Sequence, residues 1–386
     1  MALDPETLTQ LLDTVSRFVE ERLRPLEARV AEEDRIPEEV ADEMRALGLF
    51  GLSIPEEHGG LGLDMAEEVQ VAFRLGRTSP AFRSLIGTNN GIGAQGIVID
   101  GTPEQKAAWL PRLASGDVIG SFCLTEPEAG SDAGSLRTSA RRDGGDFVLN
   151  GTKRFITNAP EAGLFTVFAR TDAASRDARG VSAFLVEADR PGISVGPADR
   201  KMGQRGAHTA DVVFDDVRVP ESNIVGGPAR LNQGFRTAMK VLDRGRLHIS
   251  AVCVGAAERL IADSLRYAME RRQFGQPIAE FQLVQAMLAD SRAEAYAARC
   301  MVEETSRRRD AGRDVGTEAS CCKMFASEMV GRVADRAVQI HGGAGYMAEY
   351  GVERFYRDVR LFRLYEGTTQ IQQLIIARNM IREAGR

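Results

Sequence analysis

Apolar residues recur at helical spacing through the first part of the chain. Leu8, Leu11, Leu12, Val15, Phe18, Val19 and Leu23 fall on one stripe of a 3.6-residue helix. Asp4 stands where an N-cap belongs, with Pro5 at the first helical position. Thr102-Pro103-Glu104-Gln105 marks a further helix start, a capping box with Gln105 in the reciprocal place. From about Gly120 to Gly227 the pattern shortens to β-rich runs: Asp146-Phe-Val-Leu, Leu164-Phe-Thr-Val-Phe, Val181-Ser-Ala-Phe-Leu-Val and Asp211-Val-Val-Phe. Gly, Pro, Asn and Asp separate them at short intervals, which predicts an all-β sandwich or barrel. Asp143-Gly144-Gly145 and Asn150-Gly151 bracket the first run and predict hairpin turns on either side of it. After Pro228 the one further proline is Pro277, and helical patterns run over about 231–271, 279–311, 317–340 and from 368 onward. Four such segments with short linkers predict an antiparallel bundle. The expected architecture is mainly α with a central all-β domain: a helical domain over 1–118, a β domain over 119–228 and a four-helix bundle over 229–386.

A length of 386 residues suits two to three domains at about 150 residues each. Forty-nine Lys and Arg against 55 Asp and Glu leave a net charge of −6. That balance argues against a dedicated nucleic-acid or anionic-membrane binder, which would carry a basic excess. The five cysteines form no CxxC pair and the four histidines no HxxxH spacing, so neither a disulfide framework nor a metal site is expected. The acidic N-terminus lacks the basic and apolar regions of a secretory signal, and no apolar run approaches the roughly 18 residues of a membrane span. A soluble, cytoplasmic protein is the expectation.

Gly91-Ile92-Gly93-Ala94-Gln95-Gly96 satisfies GxGxxG to the letter. A dinucleotide site also needs a preceding strand and an acid about 20 residues on; here the context reads as helix and Asp100 follows after four. Close helix packing is the better reading. Cys123-Leu124-Thr125-Glu126-Pro127-Glu128-Ala129-Gly130-Ser131-Asp132 reads as a strand running into a polar loop. Its hydroxyls and glycine-exposed amides suit a phosphate or ring heteroatoms, and equally suit a turn with capping residues. The same two readings hold for Phe155-Ile156-Thr157-Asn158 and for Gln339-Ile340-His341-Gly342-Gly343-Ala344-Gly345-Tyr346. Glu366 in Leu364-Tyr365-Glu366-Gly367-Thr368, taken alone, is an ordinary surface acid.

Together these segments resemble the acyl-CoA dehydrogenase family along essentially the whole chain. One family signature matches Cys123 to Ser135; the other runs from Gln339-x-x-Gly342-Gly343-x-Gly345-Tyr346 through Glu349, Arg354 and Asp358. Asn150-Gly151-Thr152-Lys153, Arg271-Arg272-Gln273-Phe274-Gly275 and Tyr365-Glu366-Gly367-Thr368 stand in family order between and after them. The resemblance implies a helical N-terminal domain, a middle β domain and a C-terminal four-helix bundle, with FAD between the last two and a homotetramer built as a dimer of dimers. It implies that Phe122, Leu124 and Thr125 touch the isoalloxazine, that Phe155 and Ile156 lie beside it, and that Thr157 faces its hydride-accepting nitrogen. Gly130 and Ser131 serve the pyrophosphate side. Arg271, Phe274, Gln282, Gln339 and Gly343 grip the adenylate and pyrophosphate across a dimer contact, and Thr368 and Gln370 finish the site. Many relatives carry Trp where this chain has Phe155, so altered solvent shielding is expected with binding retained.

The implied reaction is α,β-desaturation of an acyl-CoA thioester, with electrons leaving to electron-transfer flavoprotein. Glu366 is the implied base, because a dry pocket raises a carboxylate toward the acidity of the α proton. Its backbone amide and a ribityl hydroxyl are the implied donors to the enolate oxygen. Some relatives place the base at the position of Gly245, where this chain has no side chain. Asp243 and Arg246 resemble the family's pair near the pantetheine, with Ser131 and Gly367 lining that channel; Arg246 in a purely structural ion pair is the other reading. Monooxygenase relatives lack the base, whereas an oxidase on the same scaffold stays open. A non-catalytic, nucleic-acid-binding flavoprotein is disfavoured by the charge. Around Arg83, Pro80-Ala81-Phe82-Arg83-Ser84-Leu85 resembles the stretch of glutaryl-CoA dehydrogenase whose arginine holds the substrate's distal carboxylate. A glutaryl-, adipyl- or pimeloyl-CoA is the implied substrate, against an ordinary short- or medium-chain acyl-CoA if Arg83 meets solvent or a protein acid. Gly76 stands where that relative has a glutamate, which puts decarboxylation in doubt.

Overall fold

The computed structural model describes residues 3–175 and 177–385. Seven helices open the chain: α1 (Pro5–Phe18), α2 (Glu27–Glu33), α3 (Glu38–Ala46), α4 (Met65–Leu75), α5 (Pro80–Thr88), α6 (Gln95–Asp100) and α7 (Pro103–Ser115). The caps lie where local chemistry puts them. Asp4 accepts from the amides of Glu6 and Thr7, and Thr102 exchanges bonds with Gln105 in a complete capping box. The stripe of α1 buries Val15 and Phe18 and continues through a π-helical turn, Val19–Leu23, into the N-terminal core.

Seven strands follow: β1 (Gly120–Cys123), β2 (Ser139–Asp143), β3 (Asp146–Thr157), β4 (Leu164–Arg170), β5 (Val181–Glu187), β6 (Ile193–Val195) and β7 (Thr209–Pro220). They form one sheet in the order β1-β4-β2-β3-β7-β6, with β5 branching from β4. Strands β1, β4 and β5 are buried on both faces, whereas β2, β6 and β7 turn one face to solvent. Phe165 and Val167 of β4 join Phe147, Phe184 and Phe214 in a core enclosed by the strands themselves, while Leu164 and Phe168 pack on the helices. Gly144-Gly145 closes the β2–β3 hairpin, with Gly144 at φ +65°. Asn150-Gly151 does not turn the chain as expected. It lies inside β3, where the pairing with β7 shifts register between Leu149 and Gly151. The bulge is held by Asn150, which exchanges 2.9 Å bonds with Asp216, and Gly151 passes so close to Thr138 that a Cβ would lie 2.6 Å from its hydroxyl.

The remainder is helical: α8 (Gly234–Glu270), a small hairpin of β8 (Arg272–Gln273) and β9 (Gln276–Pro277), then α9 (Gln282–Asp310), α10 (Gly316–His341), α11 (Val352–Val359) and α12 (Thr369–Ala384). Residues 245–257 of α8 are all buried, so this helix is enclosed on every side at its middle. On one side it meets α4 backbone to backbone: a Cβ on Gly76 would fall 2.4 Å from the Val252 carbonyl, and one on Gly255 would fall 2.1 Å from that of Phe73. The N-terminal helices are therefore welded to the bundle. The GxGxxG segment is helical, as expected, and of its glycines only Gly93 is closely packed, against the Gly120 carbonyl. Among the described residues no helix is long and apolar enough to cross a membrane.

Candidate active site

A cavity of about 1160 Å³ opens where the sheet, α5, α8 and the start of α12 meet. One wall is the helical stripe Phe235, Met239, Leu242, Gly245 and His248 of α8. The opposite wall comes from β1, the loop after it and the end of β3, bringing Phe122, Leu124, Thr125, Gly130, Ser131, Phe155, Ile156 and Thr157 together. That loop is pinned from below. Lys153, fully buried, donates to Glu126 at 2.8 Å and to the Leu124 carbonyl at 3.3 Å, while Glu126 also accepts from the amides of Arg137 and Thr138. Burial pushes the Glu126 carboxyl up, but Lys153 and these bonds outweigh it and hold the group ionised below its usual range. A second register shift, between Lys153 and Ile156, puts Phe155 at φ +57° and turns its ring, 60% exposed, toward the opening, with Arg154 stacked on it at 5.1 Å.

Glu366 enters from the turn before α12. Thr368 caps that helix by accepting from the Ile371 amide at 3.2 Å, and the preceding residues fold back left-handed, Glu366 at φ +53° and Gly367 at +86°. Two buried side chains hold this unfavourable turn. Gln372 donates to the carbonyls of Glu366 and Gly367 at 3.0 and 3.1 Å, and Lys323 of α10 donates to that of Gly367 at 2.6 Å. The Glu366 carboxylate consequently lies against Gly245, where a Cβ would be 2.3 Å from Oε2. Oε2 is sealed from solvent without a hydrogen-bond partner, and the Glu366 amide is used in no backbone bond among the described residues. Burial raises the carboxyl above its ordinary pKa; Arg83, Lys323 and Arg246 offset only part of this. The same burial pushes Lys323 down to about 8.

The far end of the cavity is cationic. Ser79 caps α5, and Arg83, 5% exposed, lies along its own helix over Gly87. It makes no hydrogen bond or ion pair among the described residues, and its Nε is buried without a partner. Beside it, Glu68 of α4 accepts from Arg244 and binds His248 Nδ1 at 2.7 Å. Burial opposes ionisation of Glu68, yet these two neighbours bring it down to about 2.

Of the residues singled out in the sequence, the cavity gathers Arg83, Phe122, Leu124, Thr125, Gly130, Ser131, Phe155, Ile156, Thr157, Arg246, Glu366, Gly367 and Thr368. Asp243 sits just behind, paired with Arg246. Arg271, Phe274, Gln282, Gln339, Gly343 and Gln370 do not join it: they are exposed on the outside of the bundle, Phe274 to 93%. Arg271 is 26 residues beyond Gly245 on α8, about 39 Å along the axis at 1.5 Å per residue. Glu68, His248, Lys323 and Gln372 had no motif to reveal them. Lys323 left a faint signal, since it falls on the otherwise apolar stripe Ala319, Ala326, Val330, Val333 and Ala337 of α10.

Family models match nearly the whole chain: the acyl-CoA dehydrogenase N-terminal domain over residues 5–117, the middle domain over 121–217 and the C-terminal domain over 232–381. The chain is 38% identical to a 3-(aryl)acrylate reductase of Clostridium sporogenes, covering 95% of this chain and 96% of that protein. It is 39% identical to the human mitochondrial short-chain specific acyl-CoA dehydrogenase, covering 98% and 91%. Among solved structures, glutaryl-coenzyme A dehydrogenase in its glutaryl-CoA complex superposes with a TM-score of 0.93 at 35% identity, covering 99% of this chain and 96% of that one.

Proposed function

The chain belongs to the acyl-CoA dehydrogenase family, and from that premise we propose that it is an FAD-dependent dehydrogenase that desaturates an acyl-CoA with a carboxylate at its tail. One observation carries this reading: an unpartnered carboxylate, Glu366, and an unpaired guanidinium, Arg83, share one cavity and make no bond to each other.

The cavity suits FAD. Thr125, Ser131, Thr157 and Thr368 line it with neutral hydroxyls, Phe155 offers an exposed ring face, and Gly130 has open space where a side chain would stand. These residues would hold the isoalloxazine and the near phosphate without charging the pocket. Bound there, FAD supplies the acceptor for the hydride that leaves Cβ of the substrate. Everything else falls to the protein. Glu366 takes the α proton on its carboxylate, for which an unpartnered, desolvated oxygen and a raised pKa are the requirements. The idle Glu366 amide meets the charge that develops on the thioester oxygen. Arg246, anchored by Asp243, and Ser131 and Gly367 line the way for the pantetheine.

A ligand held near Gly245 cannot also touch Arg271 about 39 Å away along α8, so Arg271, Phe274, Gln282, Gln339 and Gly343 serve the cofactor of a second copy. Gln370, two residues beyond the cavity-lining Thr368, stays with the site of its own chain. Leu265, Met269, Leu283, Tyr346 and Tyr350, exposed on the same domain, suit burial in such a homo-oligomer, a tetramer in our reading. Arg271→Ala weakens FAD retention by about 1.5–3 kcal/mol, the value of a charge-assisted hydrogen bond. Dilution of the purified variant followed by flavin fluorescence measures this, and affinity equal to wild type removes Arg271 from the cofactor site.

The function is tested by anaerobic titration of the yellow holoenzyme with adipyl-CoA. Bleaching of the flavin, and its return on adding electron-transfer flavoprotein, are expected. A spectrum unmoved by any acyl-CoA overturns the proposal, and rapid recolouring in air alone identifies an oxidase instead.

A further inference from the structure

The Glu68–His248 pair plays no part in proton removal from Cα, yet it faces the same cavity as Arg83. His248 is 5% exposed, its Nδ1 is occupied by Glu68 at 2.7 Å, and its Nε2 is buried with no partner among the described residues. On α8 it lies three residues beyond Gly245, one turn along the wall that begins at the Glu366 carboxylate. The substrate chain therefore runs from Glu366 toward an end bounded by Arg83 and His248. We infer that His248 is a specificity-determining residue that, with Arg83, clamps the distal carboxylate of the substrate as an imidazolium, taking one proton from solvent as the diacid binds. This rests on the diacid reading above and adds to it the second half of the clamp.

The tautomer compels the proton. Glu68 is an ionised acceptor, so a neutral His248 must give its one N–H to it through Nδ1, leaving a bare lone pair on Nε2. A carboxylate cannot rest on a lone pair, but it accepts well from Nε2–H of the charged ring. The charged groups around His248 set the balance. Glu68 on α4 favours the charged ring; Arg83 on α5 and Arg244 on α8 oppose it. Arg309 and Asp310 of α9 stand behind Glu68 and Arg244, and Glu366 with Tyr365 face Arg83 from the turn before α12. With the cavity free of substrate, burial and then Arg83 hold the ring below its ordinary pKa and hence neutral. A tail carboxylate between Arg83 and His248 cancels the guanidinium's influence and adds a negative partner, which raises the ring again. Between the two values, affinity for a diacid falls with rising pH by up to tenfold per unit, then levels; a substrate with a methyl tail takes up no proton.

The test compares adipyl-CoA with hexanoyl-CoA, of equal carbon number, on the holoenzyme. Calorimetric binding to the Glu366→Gln holoenzyme, in buffers of different ionisation enthalpy, is expected to show uptake approaching one proton for adipyl-CoA and none for hexanoyl-CoA. Replacing His248 by Gln in that background abolishes the uptake. In the otherwise wild-type enzyme, His248→Gln lowers the adipyl-to-hexanoyl ratio of kcat/KM by roughly ten- to hundredfold and flattens its dependence on pH. Should His248→Gln fail to fold, the calorimetry on Glu366→Gln alone decides. No proton uptake and a pH-independent ratio, with Arg83→Leu still abolishing the preference for adipyl-CoA, overturns the role of His248 and leaves the diacid reading standing. A ratio insensitive to Arg83→Leu removes both.

Discussion

Glu366→Gln holoenzyme keeps its FAD and binds acyl-CoA, but its flavin is reduced at least about 10²–10⁴-fold more slowly than that of the wild type. The amide fills the same space and has no basic oxygen to take the α proton. No other group stands in for it: Gly245, opposite, has no side chain, and a Cβ there would itself meet the Glu366 carboxylate. In the wild type, burial raises the Glu366 carboxyl, so its active, ionised form is lost as pH falls through a value above the normal carboxylate range. The reduction rate therefore rises with pH across that window, and the Gln variant's rate does not. Stability moves the other way. A folded-state pKa raised above the unfolded one contributes stability below the unfolded value that is lost as pH rises through the folded value. At neutral pH the ionised Glu366 thus costs stability, and Glu366→Gln unfolds at a higher temperature than the wild type. Anaerobic stopped-flow reduction and a thermal melt measure the two effects; a variant reducing its flavin at the wild-type rate would strip Glu366 of its role.

Arg83→Leu reverses the preference between substrates, losing about 2–5 kcal/mol of transition-state binding for a dicarboxylyl-CoA while improving turnover of a methyl-ended chain. An unpaired buried charge is strongly unfavourable; Arg83 makes no ion pair or hydrogen bond among the described residues, and the Glu366 charge acts on it across the cavity without contact. Position 76 supplies no acid either: it is Gly, and a side chain there is not accommodated, because the end of α4 lies on the backbone of α8. Glu68, which lines the same end of the cavity, is committed to Arg244 and His248. A guanidinium left free in this way matches a carboxylate supplied by the substrate, in bidentate geometry. Leucine removes the charge, fills the end of the cavity with methyl groups and suits a hydrocarbon tail. Steady-state kcat/KM for adipyl-CoA and hexanoyl-CoA, for wild type and variant, makes the comparison. Equal or better use of hexanoyl-CoA by the wild type, unchanged by Arg83→Leu, makes this an ordinary short- or medium-chain enzyme.

Much of the local fold is legible in the sequence. Helix starts at Asp4 and Thr102, the Gly144-Gly145 hairpin and the helical spacing after Pro228 depend on interactions within a few residues, so local chemistry is enough to read them. Asn150-Gly151 shows where that ends. The dipeptide is as good a turn as any, but a twelve-residue strand pairing with β7 overrides the local preference and uses the same residues as a bulge. Likewise, three glycines in GxGxxG order had a mechanism to suggest and a helical setting that refused it.

From the sequence alone came the three-part order of elements, the motifs in family order, and the pairing of a glutamate at 366 with a glycine at 245. Each needs only the identity of residues along the chain. Tertiary structure decided which of those residues share a cavity and which, from Arg271 to Gly343, lie at the other end of the bundle. It also decided that Arg83 has no hydrogen-bond or ion-pair partner among the described residues, that Lys323 and Gln372 hold the strained turn at Glu366, and that His248 is fixed by Glu68, 180 residues away. Burial, desolvation and hydrogen-bond satisfaction are properties of surroundings assembled from distant segments. No window of sequence contains them, and they are what turns a common side chain into a base or a clamp.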